Sequence, residues 1–144
     1  MIPPLTEAGL LPPGNHTATL EEFAQTFCMH TTRRRELFEK LERLLADLKK
    51  VDSARKILIG GSFVSNKPEP DDIDCVIVFG PDVLDNLLRP FEYNVFSGRA
   101  VRRMYRIDAY PVVDGTPEHS KWLEFFQKTR EGVPVGIVEV PIHD

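Results

Sequence analysis

The stretch 56–79 limits what this chain can fold into more than any other. Lys56-Ile57-Leu58-Ile59 is a short apolar run ending in Gly60-Gly61-Ser62. Cys75-Val76-Ile77-Val78-Phe79 is a second run, preceded by Pro70-Asp71-Asp72-Ile73-Asp74. Runs of this length, rich in β-branched residues and bounded by Gly and Asp, read as buried strands. The first strand therefore closes in a Gly-Gly-Ser turn, and the second opens with two carboxylates one residue apart. Period-two alternation puts Asp72 and Asp74 on one face at the strand's start. Like charges at the mouth of a buried strand call for a cationic partner, and hard divalent ions take carboxylate oxygens.

A third strand is expected over 106–113, with the single acid Asp108 inside it and Pro111 pointing to a free sheet edge. Helices surround these strands. Thr19-Leu20-Glu21-Glu22 matches a capping box, with a short helix following through about Phe27. Leu37, Leu41, Leu44, Leu45 and Leu48 form the apolar stripe of a second helix over 32–50. The stretch 81–88 reads as helical with Pro81 early, 100–105 as a helical turn, and 118–129 as a helix bearing Trp122, Leu123, Phe125 and Phe126. The tail 133–142 alternates in part and reads as a peripheral strand. Residues 1–18, rich in Pro and Gly, read as an arm without regular structure, anchored by Leu5, Leu10 and Leu11. The expected fold class is α/β (α+β), a central mixed sheet flanked by helices. With no internal repeat and no linker, 1–144 reads as one domain: arm and two helices (1–50), core (56–113), and C-terminal helix and strand (117–144).

Charge excludes one class of function. At 144 residues and a net charge of −4, the chain is not built for non-specific binding along a nucleic-acid backbone, although a local basic patch is compatible with that total. No apolar run reaches the roughly 20 residues of a membrane span. The N-terminus lacks the basic and apolar regions of a signal peptide, so a cytoplasmic location is expected. Cys28 and Cys75 are not spaced as a metal or redox motif, and Cys75 reads as a core residue. His16, His30, His119 and His143 have no metal-ligand spacing and read as non-catalytic.

A Gly-Ser turn after one strand, an Asp-x-Asp pair opening the next and a lone acid on a third make a kit for nucleotide transfer from a nucleoside triphosphate. Two divalent ions held by about three carboxylates activate the attacking oxygen and stabilise the leaving one. Gly61 lets phosphate approach the backbone, and a helical turn after Ser62 would offer N–H groups to it. The combination resembles the nucleotidyltransferase superfamily of the DNA polymerase β type over about 56–113. Gly61, Ser62, Asp72, Asp74 and Asp108 stand at the pattern's positions.

A longer resemblance, to small bacterial nucleotidyltransferase-like proteins of uncharacterised function, rests on 11–16, 19–23, 60–67, 105–112 and 136–138. These resemblances imply that Asp72, Asp74 and Asp108 bind Mg²⁺ or Mn²⁺ and are catalytic, and that Gly61 and Ser62 hold the NTP phosphates, with Lys67 a further candidate. They also imply a protein or tRNA acceptor and a setting in toxin–antitoxin or phage-defence systems, where a partner encoded nearby is expected.

Blander readings stand beside these. Pro70-Asp71-Asp72 is also turn chemistry. Asp108 could form a structural ion pair with Arg102, Arg103 or Arg106. Arg33-Arg34-Arg35 reads chiefly as a solvated face, Lys67 as a solvated loop residue, and Trp122, Phe125 and Phe126 as core. Arg99, Arg102, Arg103 and Arg106 form the best local basic cluster, suited to a triphosphate, an acidic acceptor or nearby acids. The alternative to an enzyme is a non-catalytic module of the same fold that binds a nucleotide or a protein. A carboxylate-metal nuclease ranks below both, lacking the histidines or lysines that often accompany such sites.

Overall fold

A computed structural model describes residues 1–84 and 90–143. The elements are, in order, β1 (Gly14–Thr17), α1 (Leu20–Phe27), α2 (Thr32–Leu48), β2 (Ala54–Gly60), β3 (Asp74–Phe79), α3 (Gly98–Tyr105), β4 (Asp108–Val113), α4 (Pro117–Phe126) and β5 (Gly136–Pro141). The strands make one mixed sheet in the order β1-β5-β2-β3-β4. β2 runs antiparallel to β3 and β5, whereas β3–β4 and β1–β5 are parallel.

Local signals explain most of the starts. Thr19 caps α1 by accepting from the Glu22 amide, and Thr31 caps α2 by accepting from the Arg34 amide, each satisfying a donor the helix leaves open. Glu22 does not complete the capping box: its carboxylate accepts the Ile2 amide at 2.8 Å and so ties down the N-terminus. Of the helix expected over 81–88, residues 81–84 form a 3-10 turn; the rest lies outside the described residues.

Two long-range pairings depart from the expectations. Part of the N-terminal arm is the strand β1, in parallel register with β5 from Gly14↔Gly136 to Thr17↔Glu139. β5 is consequently an inner strand, with Ile137, Val138 and Val140 buried, and not a peripheral one. Pro111 does sit on an edge strand, β4.

The sheet's two faces are unequal. On one, Ile57, Ile59, Ile77, Phe79 and Val138 pack with α1 and α2 through Phe23, Phe27, Leu37, Leu41, Leu44 and Leu48. On the other, Leu58, Val76, Val78, Val112 and Ile137 meet, among the described residues, α4 alone, through Phe126, Trp122 and Leu123. Among the described residues, no helix is long and apolar enough to cross a membrane.

Candidate functional site

Alternation along β3 and β4 assigns Asp74 to the face of Val76 and Val78, and Asp108 to the face of Tyr110 and Val112, which is the α4 side. In the parallel ladder Asp74 and Asp108 are direct register partners. Asp72 joins them through α3: Arg102 Nη1 donates to Asp72 Oδ1 at 2.9 Å and stands 3.2 Å from Asp108 Oδ1. The structure thus brings the three predicted acids together at one end of the sheet, on its thinly covered face. The structural ion pair weighed for Asp108 is present as well, with Arg102 as its partner.

Electrostatics follow from this crowding. The Asp74 carboxyl is pushed up to about 6, first by burial and then by Asp108 and Asp72, with Arg102 pulling the other way. Buried like charges favour the protonated form. Arg102 is pushed up in turn by its hydrogen bond to Asp72 and by Asp108. α3 is held in place for this contact by buried Val101 and Tyr105, whose hydroxyl donates to Asp47 of α2.

The glycine pair serves close approach on two sides. A Cβ at Gly60 would come within 3.1 Å of Phe126, and one at Gly61 within 2.9 Å of Asp74 Oδ2. Gly61 also has φ +73, a conformation that side chains disfavour. Gly60 therefore lets α4 settle on the sheet, and Gly61 turns the chain while leaving room for the carboxylate. The helical turn expected after Ser62 is a 3-10 turn, Gly61–Val64. Ser62 is half-buried in it, and its carbonyl accepts from Ser65 Oγ at 2.6 Å. Lys67 is exposed on the following loop.

What holds that loop is a residue that sequence reasoning assigned to solvent. Arg34 is 2% exposed. Its Nη1 donates to the carbonyls of Phe27 (2.8 Å) and Phe63 (2.7 Å), and its Nη2 to those of Ser65 (2.8 Å) and Lys67 (2.6 Å). The guanidinium also lies over the Phe63 ring at 4.9 Å. Arg33 adds bonds to the carbonyls of Pro70 (3.1 Å) and Asp71 (2.5 Å). The charge run is therefore not a solvated face: two of its three arginines fasten the segment linking Gly61 to Asp72. The missed signal is helical phase. Arg34 precedes Leu37, Phe38 and Leu41 by three, four and seven residues, which places it in the apolar stripe.

The aromatic residues of α4 also divide. Phe126 is core, as expected, but Phe125 is 64% exposed, and half-buried Trp122 stacks on Tyr110 with ring centroids 3.9 Å apart. The four histidines lie elsewhere: His16, His30 and His143 bond backbone carbonyls, and His119 pairs with Asp114. Both cysteines are buried free thiols, pushed up to about 12 by burial.

Oxygen donors alone, three carboxylates at one point, fit a hard divalent ion in type and charge. Arg102 stands between Asp72 and Asp108, and among the described residues no three Asp, Glu, His or Cys side chains are arranged to hold a metal as they stand. A metal would therefore have to replace the guanidinium between Asp72 and Asp108. No curated protein and no solved structure matches the chain. A family model covers residues 3–141, and the chain accordingly belongs to a family of unknown function, DUF6932.

Proposed function

We propose that this chain is a metal-dependent nucleotidyltransferase that moves a nucleoside monophosphate from an NTP to a hydroxyl of a macromolecular acceptor. The observation that carries this reading is the pairing of Asp74 with Asp108 across β3 and β4, with Asp72 joined to the same cluster through Arg102 and Gly61 against Asp74. A cluster of hard, like-charged donors beside a glycine turn suits chemistry on a phosphate chain. Mg²⁺ or Mn²⁺ bound there would neutralise the charge that develops on the transferring phosphate and the leaving oxygen.

The chain's own residues divide the remaining work. Asp72, Asp74 and Asp108 would hold the cation once Arg102 is displaced. The backbone N–H groups of the turn after Gly60, with Ser62, orient the β- and γ-phosphates, and Lys67 reaches them from its loop. Asp108 takes the acceptor's proton at its carboxylate. The acceptor oxygen then bonds to the α-phosphorus, the bond from that phosphorus to the bridging oxygen breaks, and pyrophosphate leaves. The resemblances described above add a toxin–antitoxin or phage-defence context and a protein or tRNA as acceptor, and the setting of this reading is cytoplasmic.

Asp74→Ala tests this reading. In lysate supplied with labelled NTPs and Mg²⁺, the wild type is expected to label one macromolecular species, and the variant to lose at least about a thousandfold of that activity, about 4 kcal/mol. Circular dichroism should show an intact fold, since removing one of several crowded charges does not disrupt packing. Equal behaviour of the two proteins, both labelling or both silent, sinks the enzyme reading. The second reading, a non-catalytic binding module, draws on Arg102, which already satisfies two of the acids within the chain.

A further inference from the structure

We infer that the groove leading away from Asp108 along the free edge of β4 binds the end of a single-stranded polynucleotide, which supplies the acceptor hydroxyl. The inference rests on the transferase reading for the word acceptor, but the surface itself can be tested without it.

The groove has a volume of about 380 Å³ and is lined by Arg99, Asp108, Tyr110, Pro111 and Trp122 among others. That volume is within the range of pockets that take a small organic ligand, and one nucleotide unit is of that size. Its aromatic wall is the Tyr110–Trp122 stack, with an interplanar angle of 22°. Phe125 extends the wall, meeting Trp122 edge-on at 5.5 Å while remaining 64% exposed. A ring exposed to this degree beside a second, half-buried one is costly in water and available to a planar partner.

α3 brings a guanidinium to the groove, that of Arg99. α3 and its cap carry Arg99, Arg102, Arg103 and Arg106, all exposed, on a chain whose net charge is −4. Arg102 is engaged with the acids. Among the described residues, Arg99, Arg103 and Arg106 form no ion pair within the chain, so Arg99, which lines the groove, and Arg103, one helical turn along on the same side of α3, are left for an external anion. Aromatic rings that accept bases and guanidiniums that accept phosphates are the two parts of a single-strand site. A duplex hides its bases from such a wall. An acidic peptide would engage the arginines and leave the rings without a partner. Asp108 at the head of the groove sets the direction: the strand's terminal hydroxyl lies against the carboxylate, and its bases run back toward Trp122.

Trp122 is the chain's one tryptophan, so fluorescence excited selectively at the indole reports on this groove. The probes are 5′-fluorescein octanucleotides of RNA and of DNA with free 3′ ends, titrated at low salt without metal or NTP. The expected result is quenching of Trp122 emission that tracks the rise in anisotropy. Arg99→Glu/Arg103→Glu should weaken binding at least about tenfold with unchanged circular dichroism, and should lower the salt slope by about 1.4, the share of two phosphate contacts on a single strand. Phe125→Ala should weaken binding by several-fold while leaving the salt slope unchanged.

The surface is overturned if no quenching accompanies binding, or if the double variant binds as the wild type does. Equal quenching by free NTP would make the groove the substrate base's site, and equal competition by polyglutamate would make it a peptide surface; either result overturns the inference. The RNA and DNA arms decide which sugar is accepted. A protein that quenches with the oligonucleotide but labels nothing in lysate removes the transferase reading and leaves the surface standing. A protein that labels a macromolecule but fails to quench does the reverse.

Discussion

The two faces of the sheet divide the labour of this protein. The face under α1 and α2 is apolar and continuous, and leucines from α2 pack with isoleucines from β2 and β3. Among the described residues its one buried guanidinium, Arg34, is saturated by backbone carbonyls. Among the described residues the other face is covered by one helix of ten residues, and where α4 ends the sheet presents carboxylates to Arg102. Both faces hold an arginine at a crowded polar site, but Arg34 is enclosed and permanent, whereas Arg102 is half-exposed and held by charge. One face has been arranged for stability. The other keeps charges close together, an arrangement that functional sites and structural ion-pair networks share.

The comparison can be broken first at Arg34. Arg34→Met keeps much of the volume and removes every donor, leaving the carbonyls of Phe27, Phe63, Ser65 and Lys67 without this partner. Each buried, unsatisfied carbonyl costs about 1–3 kcal/mol, discounted where water can enter, so a loss of about 3–5 kcal/mol in urea denaturation is expected. Arg34→Lys should fail nearly as badly, because an ammonium cannot span four carbonyls set out for a planar fork. Arg103→Met, at an exposed position of α3, should stay within about 0.5 kcal/mol of wild type. Comparable losses at Arg34 and Arg103 would remove the distinction drawn between the faces.

How much of this was legible in the sequence depends on how local each signal is. β2 and β3 are written in short apolar runs, and the glycine turn and Asp-x-Asp between them carry their meaning in a few residues. Thr19 states its cap in the next three residues. β5 was misplaced as peripheral because its burial depends on β1, more than a hundred residues earlier in the chain, and a four-residue strand with an exposed pattern leaves little trace. Arg34 was misread because charge dominates a composition count, although its helical phase with Leu37 and Leu41 was available. Phe125 and Phe126 differ only by the rotation of one helical residue, which decides core against surface once the sheet's position is known.

A smaller effect should separate the faces by pH. The folded Asp74 carboxyl is raised to about 6, above an unfolded value near 3.9. The folded chain therefore binds this proton more tightly, and Asp74 favours folding as pH falls through 6 toward 4. That contribution is lost as pH rises through 6. Asp74 is half-buried and shares Arg102, so the expected contribution is about 1–2 kcal/mol rather than the full shift. In EDTA, the stability of wild type minus that of Asp74→Asn should become more negative by this amount between pH 5 and pH 7, with histidine titration cancelling in the difference. Parallel pH curves would mean that Asp74 ionises as an ordinary surface carboxylate and that the acids are not coupled.

The smallest expected effect tests the guanidinium that fills the acid cluster. Arg102 Nη1 is shared between Asp72 and Asp108, so a divalent cation must displace it to reach both carboxylates. Removing the charge should then strengthen metal binding. A unit charge about 4 Å away is worth about 1 kcal/mol in water and more in partly buried surroundings. The ion carries two charges, but the half-exposed arginine can swing aside instead of staying in place to repel it. The balance predicts that Arg102→Gln binds Mn²⁺ about tenfold more tightly, about 1.4 kcal/mol, by calorimetry without nucleotide. Arg103→Gln removes the same formal charge from the same helix without touching the acids, and should change affinity less than about twofold because exposed charges are well screened. Equal gains in the two variants would show that Arg102 acts only through the general field of α3. Unchanged affinity in Arg102→Gln would show that metal and guanidinium do not compete, and would move the cation to Asp74 and away from the pair that Arg102 bridges. If neither the wild type nor either variant binds Mn²⁺, the cluster is an internal salt bridge, and the open face of the sheet loses its claim to phosphate chemistry.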